Sequence, residues 1–396
     1  MYSFKKSSSC SKTSPTEVHV EFIAKKDDLL GQLALVQGIV ERKTTMPILS
    51  HLLLVADKEG LQLVATDLEV GFRTRCEASI SQPGEVTVPA RKIFDVVRSL
   101  PGGEIQFRRS GDHDLGIVCE QTKFTLRGLP ASDFPSLPET ALKDPVQLPA
   151  ARLREMIARV IFAVTVDDPV YSLNGALFSV EGKTLTLVAT DGHRLAYASC
   201  ELEIKPLKKG IRQVVHRKTL AELLKLLADL DDEDQISCGE VDNHILFRVD
   251  RAVLTSRSLE KSFPAYEKVL PDFDDHQIGL DRELLAAALK RVSLLSSERS
   301  RAVRFDLTRD RLEITSNSPD LGEASEVLTV DYKGNGVAIG FNARYVIDFT
   351  ESLSCSRVRM ILKDSNTQGL FLPEEELDSE YRYVVMPMQL RGEEAD

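Results

Sequence analysis

Two threonine–aspartate pairs are the residues of this chain whose types best suit acid–base chemistry. Thr66-Asp67 recurs 124 residues later as Thr190-Asp191, and His193 follows two residues after the second aspartate. A carboxylate close to an imidazole can act as a general acid and base in an enzyme. The repetition favours another interpretation, a turn in which each aspartate accepts hydrogen bonds from local backbone N–H groups. We therefore predict a turn at both pairs and a structural role for His193.

No other motif predicts catalysis, a cofactor or a metal. The segment VEGKTLTLV (180–188) contains the Gly-Lys-Thr of a phosphate-binding loop, but Leu177 stands where that loop needs a glycine. Its alternating apolar residues predict a β-hairpin instead. The six cysteines lie far apart, without a CxxC pair or a companion histidine cluster, which is typical of buried thiols in a reducing cytosol. We predict a chain that is not an enzyme and that holds no cofactor and no metal.

The hydropathy of the chain favours a cytoplasmic location. No apolar run approaches the roughly 20 residues that a helix needs to cross a bilayer. Residues 1–16 contain Lys5 and Lys6 but no apolar stretch after them, so they do not form a secretory signal. We predict that this polar segment is a disordered tail.

The elements that position the Thr-Asp pairs recur three times. Similar strand pairs contain LQLVATDLEVGF (61–72), LTLVATDGHRLAY (185–197) and the more divergent LEITSNSPDLGEASE (312–326). A helical stretch precedes each strand pair and a second one follows it, because apolar residues recur at helical spacing. The six predicted helices lie at 25–41, 90–100, 151–164, 216–227, 281–295 and 342–353, and closing strands are predicted within 123–138 and 252–271.

Three repeats of one order of elements predict three similar α+β domains. Each domain is expected to place antiparallel strands on one side and two helices on the other. The polar segments LKDPVQ and FDDHQI mark boundaries near residues 143 and 273. The predicted organisation is a tail at 1–16, domains at 17–143, 144–272 and 273–390, and an acidic extension at 391–396.

The charge is distributed unevenly between helices and strands. A net charge of −11 argues against a nucleic-acid partner. The six predicted helices with their flanking residues nevertheless carry +7, so the rest of the chain carries −18. Lys and Arg are good helix formers on any solvated face, which is the alternative explanation. If three domains align their helices on one face, that face becomes basic and suits contacts to phosphates that carry no sequence information.

The chain resembles the bacterial DNA sliding clamp family, the β subunits of DNA polymerase III, from about Val18 to Leu390. The motifs that carry the resemblance are TTMPILSHLLL (44–54), ATDLEVGF (65–72), VPARKIFD (88–95), FPSLP (134–138), LNGALF (173–178), VATDGHRLA (188–196), SFPAYEKVLP (262–271), GFNARYVID (340–348) and YVVMPMQL (383–390). The most specific are ATDGHRLA and YVVMPM.

The resemblance implies a ring closed by a head-to-tail homodimer, with three clamp domains per chain, helices lining the inside and antiparallel sheets outside. Helix spacing supports two chains, because six helices about 10 Å apart enclose a circle only about 19 Å across at their axes, whereas twelve enclose about 38 Å. Double-stranded DNA is the implied partner. The residues expected to contact it are Lys43, Arg91, Lys92, Arg98, Arg152, Tyr171, Arg217 and Lys218.

The resemblance also implies a cleft between the second and third domains that takes up short peptide motifs of partner proteins. The expected partners are the DNA polymerase III alpha subunit, the clamp-loader delta subunit, translesion polymerases, and mismatch-repair and ligase proteins. We expect Arg194 to pair with a polar or acidic group of the peptide. The cleft residues are Leu173, Thr190, Gly192, His193, Arg194, Leu195, Pro264, Val269, Asn342, Tyr345, Val384, Val385, Met386, Pro387, Met388, Gln389 and Leu390.

The tail from Val384 has a simpler interpretation as the last core strand, and we expect both interpretations to hold in part, with alternate side chains buried and exposed. Gln389 stands where the family commonly has a basic residue, and residues 391–396 extend beyond the family's usual end. Asp167 and Asp168 lie near the expected path of the DNA, where anions are unfavourable.

Two other functions remain as alternatives. One is an enzyme built on the repeated Thr-Asp pairs. The other is a three-domain scaffold that binds proteins without enclosing DNA.

Overall fold

The computed structural model of the protein describes residues 20–41, 44–142, 144–165, 173–207, 209–259, 263–272, 275–375 and 377–389. The chain divides into two compact units. The first consists of Met1–Asp67 with Phe72–Ser136, and the second of Leu68–Gly71 with Leu137–Asp396. The second unit thus contains the second and third sequence repeats.

In the first unit, two helices pack side by side, and their apolar faces are buried. Leu29, Leu33 and Val36 are fully buried, so the predicted helical face is confirmed. The strands form one sheet of order β5-β1-β7-β8-β9 and a second set of order β4-β3-β2-β6. The elements are β1 (Glu21–Lys25), α1 (Lys26–Val36), β2 (His51–Asp57), β3 (Gly60–Thr66), β4 (Val70–Cys76), β5 (Ala78–Gln82), β6 (Gly84–Pro89), α2 (Ala90–Ser99), β7 (Glu104–Ser110), β8 (Asp114–Cys119) and β9 (Thr122–Leu126).

The second unit repeats this plan twice. Its first half contains β10 (Val146–Pro149), α3 (Ala150–Val160), β11 (Gly175–Glu181), β12 (Thr184–Thr190), β13 (Arg194–Glu201), β14 (Ile211–His216), α4 (Arg217–Ala228), β15 (Gln235–Val241), β16 (His244–Val249) and β17 (Ala252–Arg257). Its second half contains β18 (His276–Asp281), α5 (Arg282–Val292), β19 (Ala302–Thr308), β20 (Arg311–Ser318), β21 (Gly322–Thr329), β22 (Val337–Asn342), α6 (Ala343–Glu351), β23 (Arg357–Leu362), β24 (Gly369–Pro373) and β25 (Glu380–Val385). Helix α3 packs on α4, and α5 packs on α6.

One eight-stranded sheet joins the two halves of the second unit. Its order is β14-β11-β12-β13-β25-β24-β23-β18, and every recorded pairing within it is antiparallel. Strands β13 and β25 meet at the middle, where Leu195 lies opposite Val384 and Arg194 lies opposite Val385. This strand pair brings sequence segments almost 190 residues apart into one surface. A four-stranded sheet of order β21-β20-β19-β22 completes the second half.

All six predicted helices are present, and their starts agree within one residue with the prediction. Five of the helices end earlier than predicted, whereas α4 ends one residue later, at Ala228. Helix α1 ends at Val36, and α3 and α5 are each followed by one 3-10 turn, at Ile161–Ala163 and Ser293–Leu295. The predicted hairpin at 180–188 is confirmed, because β11 and β12 pair across a turn in which Gly182 has φ 62°. Such a conformation suits glycine, which lacks a Cβ.

The closing strands predicted within 123–138 and 252–271 are present, but each occupies only the first part of its segment. Strand β9 ends at Leu126 and β17 ends at Arg257, and short 3-10 turns follow at Ala131–Asp133 and Tyr266–Lys268. Both segments contain prolines, as at Pro130 and Pro264. Proline donates no backbone hydrogen bond to a sheet, so these prolines end the strand pattern. The five cysteines in the described ranges are buried, as predicted.

Candidate protein-docking cleft and DNA-facing residues

The second Thr-Asp pair forms a closed turn between β12 and β13. Asp191 Oδ1 accepts hydrogen bonds from the backbone N–H groups of His193 and Arg194, both at 3.0 Å. Thr190 Oγ1 accepts from Gly192 N at 3.1 Å and donates to Arg194 O at 2.6 Å. Gly192 has φ 85°, which favours glycine. The predicted turn is confirmed, and Asp191 is engaged by the turn instead of being paired with His193.

Arg194 is buried against the turn, with its side chain 10% exposed. Its Nε donates to Asp191 Oδ2 at 3.0 Å, its Nη1 to Asp348 Oδ2 at 2.7 Å, and its Nη2 to Phe162 O at 2.6 Å. The guanidinium carbon lies 4.4 Å from the centre of the Tyr345 ring, a cation–π contact. Arg194 therefore fixes a side chain of α6 to the end of α3.

The groups around Arg194 stabilise its protonated form. Burial alone lowers the pKa of Arg194, but Tyr383, Asp348 and Asp191 outweigh that effect and hold the pKa above its ordinary value. The three donor nitrogens already have acceptors within the chain. These bonds use three of the five N–H groups of the guanidinium, and the pairing of Arg194 with a group of a partner peptide stays a prediction.

The tail after β25 lies between two segments of the unit. Met386 N donates to His193 O and Met388 N donates to Gly340 O, each at 2.8 Å. Met386, Pro387 and Met388 are half-buried, and Gln389 is exposed. Leu390 lies outside the described residues.

The expected alternation of buried and exposed side chains from Val384 onward is wrong for the strand itself. Val384 and Val385 are both buried, because β25 lies inside the sheet and each of its faces is covered. Partial exposure begins at Met386, where the strand has ended.

An apolar cluster forms the floor next to the turn and the tail. Its partly exposed members, which line the surface, are Tyr197, Phe263, Val269, Leu270 and Leu372. Its buried members are Leu177, Val188, Leu195, Tyr266, Ile361, Leu370 and Val384. The sequence prediction named Leu195, Val269 and Val384 but not Tyr266, Ile361 or Leu370. The position of Tyr266 between Pro264 and Val269 was the available signal for it.

The remaining predicted cleft residues lie around this floor. Leu173 and Thr190 are buried, Gly192, His193 and Pro264 are exposed, and Tyr345 is half-buried. Asn342 caps α6, because its Oδ1 accepts from Arg344 N at 2.9 Å. The described members of the predicted set thus belong to strands β12, β13 and β25, to the turn at 192–193 and the tail at 386–389, to helix α6 and its cap, and to the loops at 173–174 and 263–270.

The predicted DNA-contacting residues have different surroundings. Arg91 and Lys92 are exposed on α2. Arg98 on the same helix is exposed, pairs with Asp95 at 3.1 Å and lies over the ring of Phe94 at 5.2 Å. Lys43 and Tyr171 lie outside the described residues, as do Asp167 and Asp168.

In the second unit, Arg152 on α3 pairs with Glu155 at 3.0 Å and with Asp378 at 2.9 Å. It lines a groove of about 1750 Å³ between α3, β10 and the loop before β14, separate from the docking floor. Arg217 and Lys218 are half-buried in the first turn of α4. The Nε atom of Arg217 is buried and has no hydrogen-bond partner among the described residues.

Within the described ranges, no group of three or more His, Cys, Asp or Glu side chains is placed to hold a metal ion. No helix in the part of the chain that the structure describes has the length and apolar character to cross a membrane.

Comparisons with known proteins cover nearly all of the described chain. Three models of the DNA polymerase III beta subunit match in succession: the N-terminal domain at residues 20–138, the central domain at 147–265 and the C-terminal domain at 267–389. The beta sliding clamp of Pseudomonas aeruginosa is 39% identical over 372 residues, which are 94% of this chain and 100% of that protein. The beta sliding clamp of Escherichia coli (strain K12) is 37% identical over 373 residues, with the same two coverages.

A solved structure of a sliding clamp matches the fold of this chain. The sliding clamp (DNA polymerase III subunit beta) from Pseudomonas aeruginosa bound to griselimycin matches with a TM-score of 0.85 and 38% identity, covering 94% of this chain and 100% of that chain. The three repeats are therefore three consecutive DNA-clamp domains. This chain belongs to the DNA polymerase III beta subunit family, the bacterial beta sliding clamps.

Proposed function

We propose that this chain forms a head-to-tail homodimeric ring around duplex DNA and holds the replicative polymerase there through its docking cleft. The observation that carries the proposal is the match of three consecutive beta-subunit domains over residues 20–389. Family membership makes the chain a processivity clamp and a non-catalytic accessory subunit of DNA polymerase III. The ring, the DNA contacts and the named cleft are proposals for this chain, as is a cytoplasmic site of action.

Two unpaired sheet edges support the ring. Strand β9 ends the first-unit sheet, and strand β21 ends a sheet of the second unit. Neither strand contains a buried residue, although paired strands elsewhere in the same sheets bury alternate side chains. Exposed edges of this kind pair readily with another chain, so β9 of one copy and β21 of a second copy are suitable partners.

Apolar and charged side chains at the two edges are complementary. Val327 on β21 is 48% exposed, Leu294 in the turn after α5 is 76% exposed, and Phe124 on β9 is 37% exposed. Burial of such side chains between copies would stabilise the pairing. Charge favours the same arrangement, because β9 carries Lys123 while β21 carries Glu323 and Glu326.

Five of the described cations are proposed to contact DNA phosphates: Arg91, Lys92, Arg98, Arg217 and Lys218. Arg152 is expected to contribute less, because Glu155 and Asp378 neutralise it. Such contacts read no sequence, which suits a ring that moves along the duplex. The proposed cleft partners are the polymerase alpha subunit, the clamp-loader delta subunit, translesion polymerases, and mismatch-repair and ligase proteins.

A comparison of circular with linear DNA tests whether the protein encloses the duplex. The protein is loaded with a clamp loader and ATP onto a nicked circular plasmid, and the complex is passed through a gel-filtration column. We expect it to co-elute with the circle and to be lost after a restriction enzyme linearises the DNA, because a ring slides off free ends. Retention on linear DNA equal to that on the circle would exclude enclosure and favour the non-encircling scaffold.

A further inference from the structure

Arg344, in the first turn of α6, shares a carboxylate with the buried Arg194 of the docking cleft. Asp348 Oδ2 accepts from Arg194 Nη1, and Asp348 Oδ1 lies 2.7 Å from Arg344 Nε. The side chain of Asp348 is 9% exposed, whereas that of Arg344 is 53% exposed. One carboxylate thus holds a buried guanidinium and an exposed guanidinium next to each other.

The two arginines differ in the donors that they have left. Arg194 uses three of its five N–H groups for acceptors of its own chain, and its side chain is only 10% exposed. Arg344 contacts Asp348 through Nε, and neither of its Nη groups is bonded to any part of the chain that the structure describes. A guanidinium with two open Nη groups can bind a carboxylate with two parallel hydrogen bonds.

The surroundings of Arg344 place this donor pair at the cleft. Asn342, a predicted cleft residue, caps α6 by accepting from the backbone N–H of Arg344. The next residue, Tyr345, stacks on Arg194, and the tail residue Met388 is bonded to Gly340, just before the cap. The N-terminal end of a helix also favours a bound anion.

The charges of Asp191, Arg194, Arg344 and Asp348 do not oppose the binding of a further anion. Asp191 and Asp348 balance Arg194 and Arg344, so the four groups are neutral together. Only Arg344 of the two cations is more than half exposed. A carboxylate that approaches from solvent therefore meets a cation with open donors instead of an exposed anion.

We infer that Arg344 is a specificity-determining residue of the docking cleft, which binds an acidic side chain of the partner peptide through its Nη groups. Arg194 holds Tyr345 and Asp348 in position, and Arg344 binds the acidic side chain of the peptide. This inference rests on the proposed docking function and names a feature of the peptide that the cleft selects.

Two matched peptides test it on the full-length protein. Each is a fluorescein-labelled hexapeptide that ends in Leu-Phe for the apolar floor, with either Asp or Asn directly before that pair. Fluorescence anisotropy gives the Kd of each peptide for the wild-type protein, Arg344→Gln and Arg357→Gln. The last variant is the control, since Arg357 is 52% exposed and also pairs with one carboxylate, Glu374, at 2.6 Å.

We expect the wild-type protein and Arg357→Gln to bind the Asp peptide about two- to fivefold more tightly than the Asn peptide, in the range of exposed charge pairs. Arg344→Gln is expected to bind both peptides equally. Unfolding midpoints of the variants, measured in urea, are expected to match, which excludes a folding defect. A preference that survives in Arg344→Gln, or that is missing from the wild-type protein, overturns the inference.

Two further outcomes separate this inference from its alternatives. If neither peptide binds the wild-type protein, the docking proposal itself fails and the inference fails with it. If Arg344→Gln keeps the peptide preference but weakens binding to a fluorescent DNA duplex, the exposed cation serves DNA and the inference is overturned. Binding of both peptides with loss of the preference in Arg344→Gln alone supports both proposals.

Discussion

Two regions of the molecule differ in how their strands are covered. Strands β13 and β25 pair inside a sheet, at the joint, whereas β9 and β21 are edge strands. At the joint, Leu195, Val384 and Val385 are buried. At the edges, no residue of β9 or β21 is buried. Repeated domains that join by strand pairing bury a strand wherever a partner strand follows in the same chain. We propose that the exposed edges are the places where the repeat pattern lacks its next partner, and that a second copy of the chain supplies one in the ring.

The largest predicted effect falls at the joint. Tyr383 on β25 is fully buried, its ring stacks on Phe349 at 5.3 Å, and its hydroxyl donates to Tyr345 O at 3.0 Å. We expect Tyr383→Ala to lower the free energy of unfolding by about 4 kcal/mol, because it leaves a cavity and removes the hydrogen bond to Tyr345 O. Urea denaturation followed by circular dichroism measures the change.

An exposed apolar residue supplies the control for that measurement. Leu284 on α5 is 58% exposed, so Leu284→Ala is expected to change the free energy of unfolding by no more than about 0.5 kcal/mol. Equal losses in the two variants would contradict the distinction between a packed joint and an exposed surface.

The joint also marks the limit of what the sequence could predict. The repeats, the six helices and the turn at Asp191 follow from local patterns, because apolar spacing and short polar side chains act within a few residues. The partners of Arg194 do not follow in this way. Asp348 is 154 residues away and Phe162 is 32 residues away. The pairing of β13 with β25 joins the half that contains Asp348 to β13, and the packing of α3 and its following turn on β13 brings Phe162.

The strand ends were misjudged for a related reason. Apolar residues such as Leu129, Phe134, Leu259 and Phe263 continue past Leu126 and Arg257 in the sequence, but the prolines among them cannot donate the hydrogen bonds that a sheet needs. Tyr266 and its neighbours leave the strand and cover the sheet face instead. The apolar character of these residues predicts that they are buried. It does not distinguish a strand of the sheet from a loop that packs over the sheet.

The second prediction tests the free edges. Val327→Lys places a cation on β21, opposite the basic β9 edge in the proposed pairing, and removes an apolar contact. We expect the dimer Kd to rise about 100-fold, which corresponds to about 2.7 kcal/mol, while the unfolding of each chain is little changed. Sedimentation equilibrium measures the dimer Kd.

A substitution in the same sheet gives the matched control. Thr308 is exposed at the end of β19, away from the edge strand, so Thr308→Lys is expected to leave the dimer Kd within about threefold of the wild-type value. Dimers of unchanged strength in Val327→Lys would show that β21 does not pair with a second copy.

The smallest predicted effect concerns charge at the same edge. Hydrogen bonds from Arg291 hold the pKa of Glu326 on β21 below its ordinary value. Because the folded pKa is the lower one, the contribution of this pair is complete above the unfolded pKa and is lost as the pH falls through the folded pKa. We expect Arg291→Gln to return the pKa of Glu326 toward its ordinary value, whereas Arg311→Gln, which removes the exposed pair with Glu313, leaves it unchanged.

Carboxyl chemical shifts from NMR, measured against pH, report this pKa in the dimer and in a Val327→Asn variant at a concentration where it is monomeric, which adds no charge beside Glu326. The proposed pairing brings Lys123 of a second copy to the β21 edge, and a further cation near Glu326 favours its charged form. The pKa of Glu326 is therefore expected to be lower in the dimer than in the monomer. Equal values in both states would mean that the basic edge of β9 does not meet the acidic edge of β21, even if the chain dimerises by another surface.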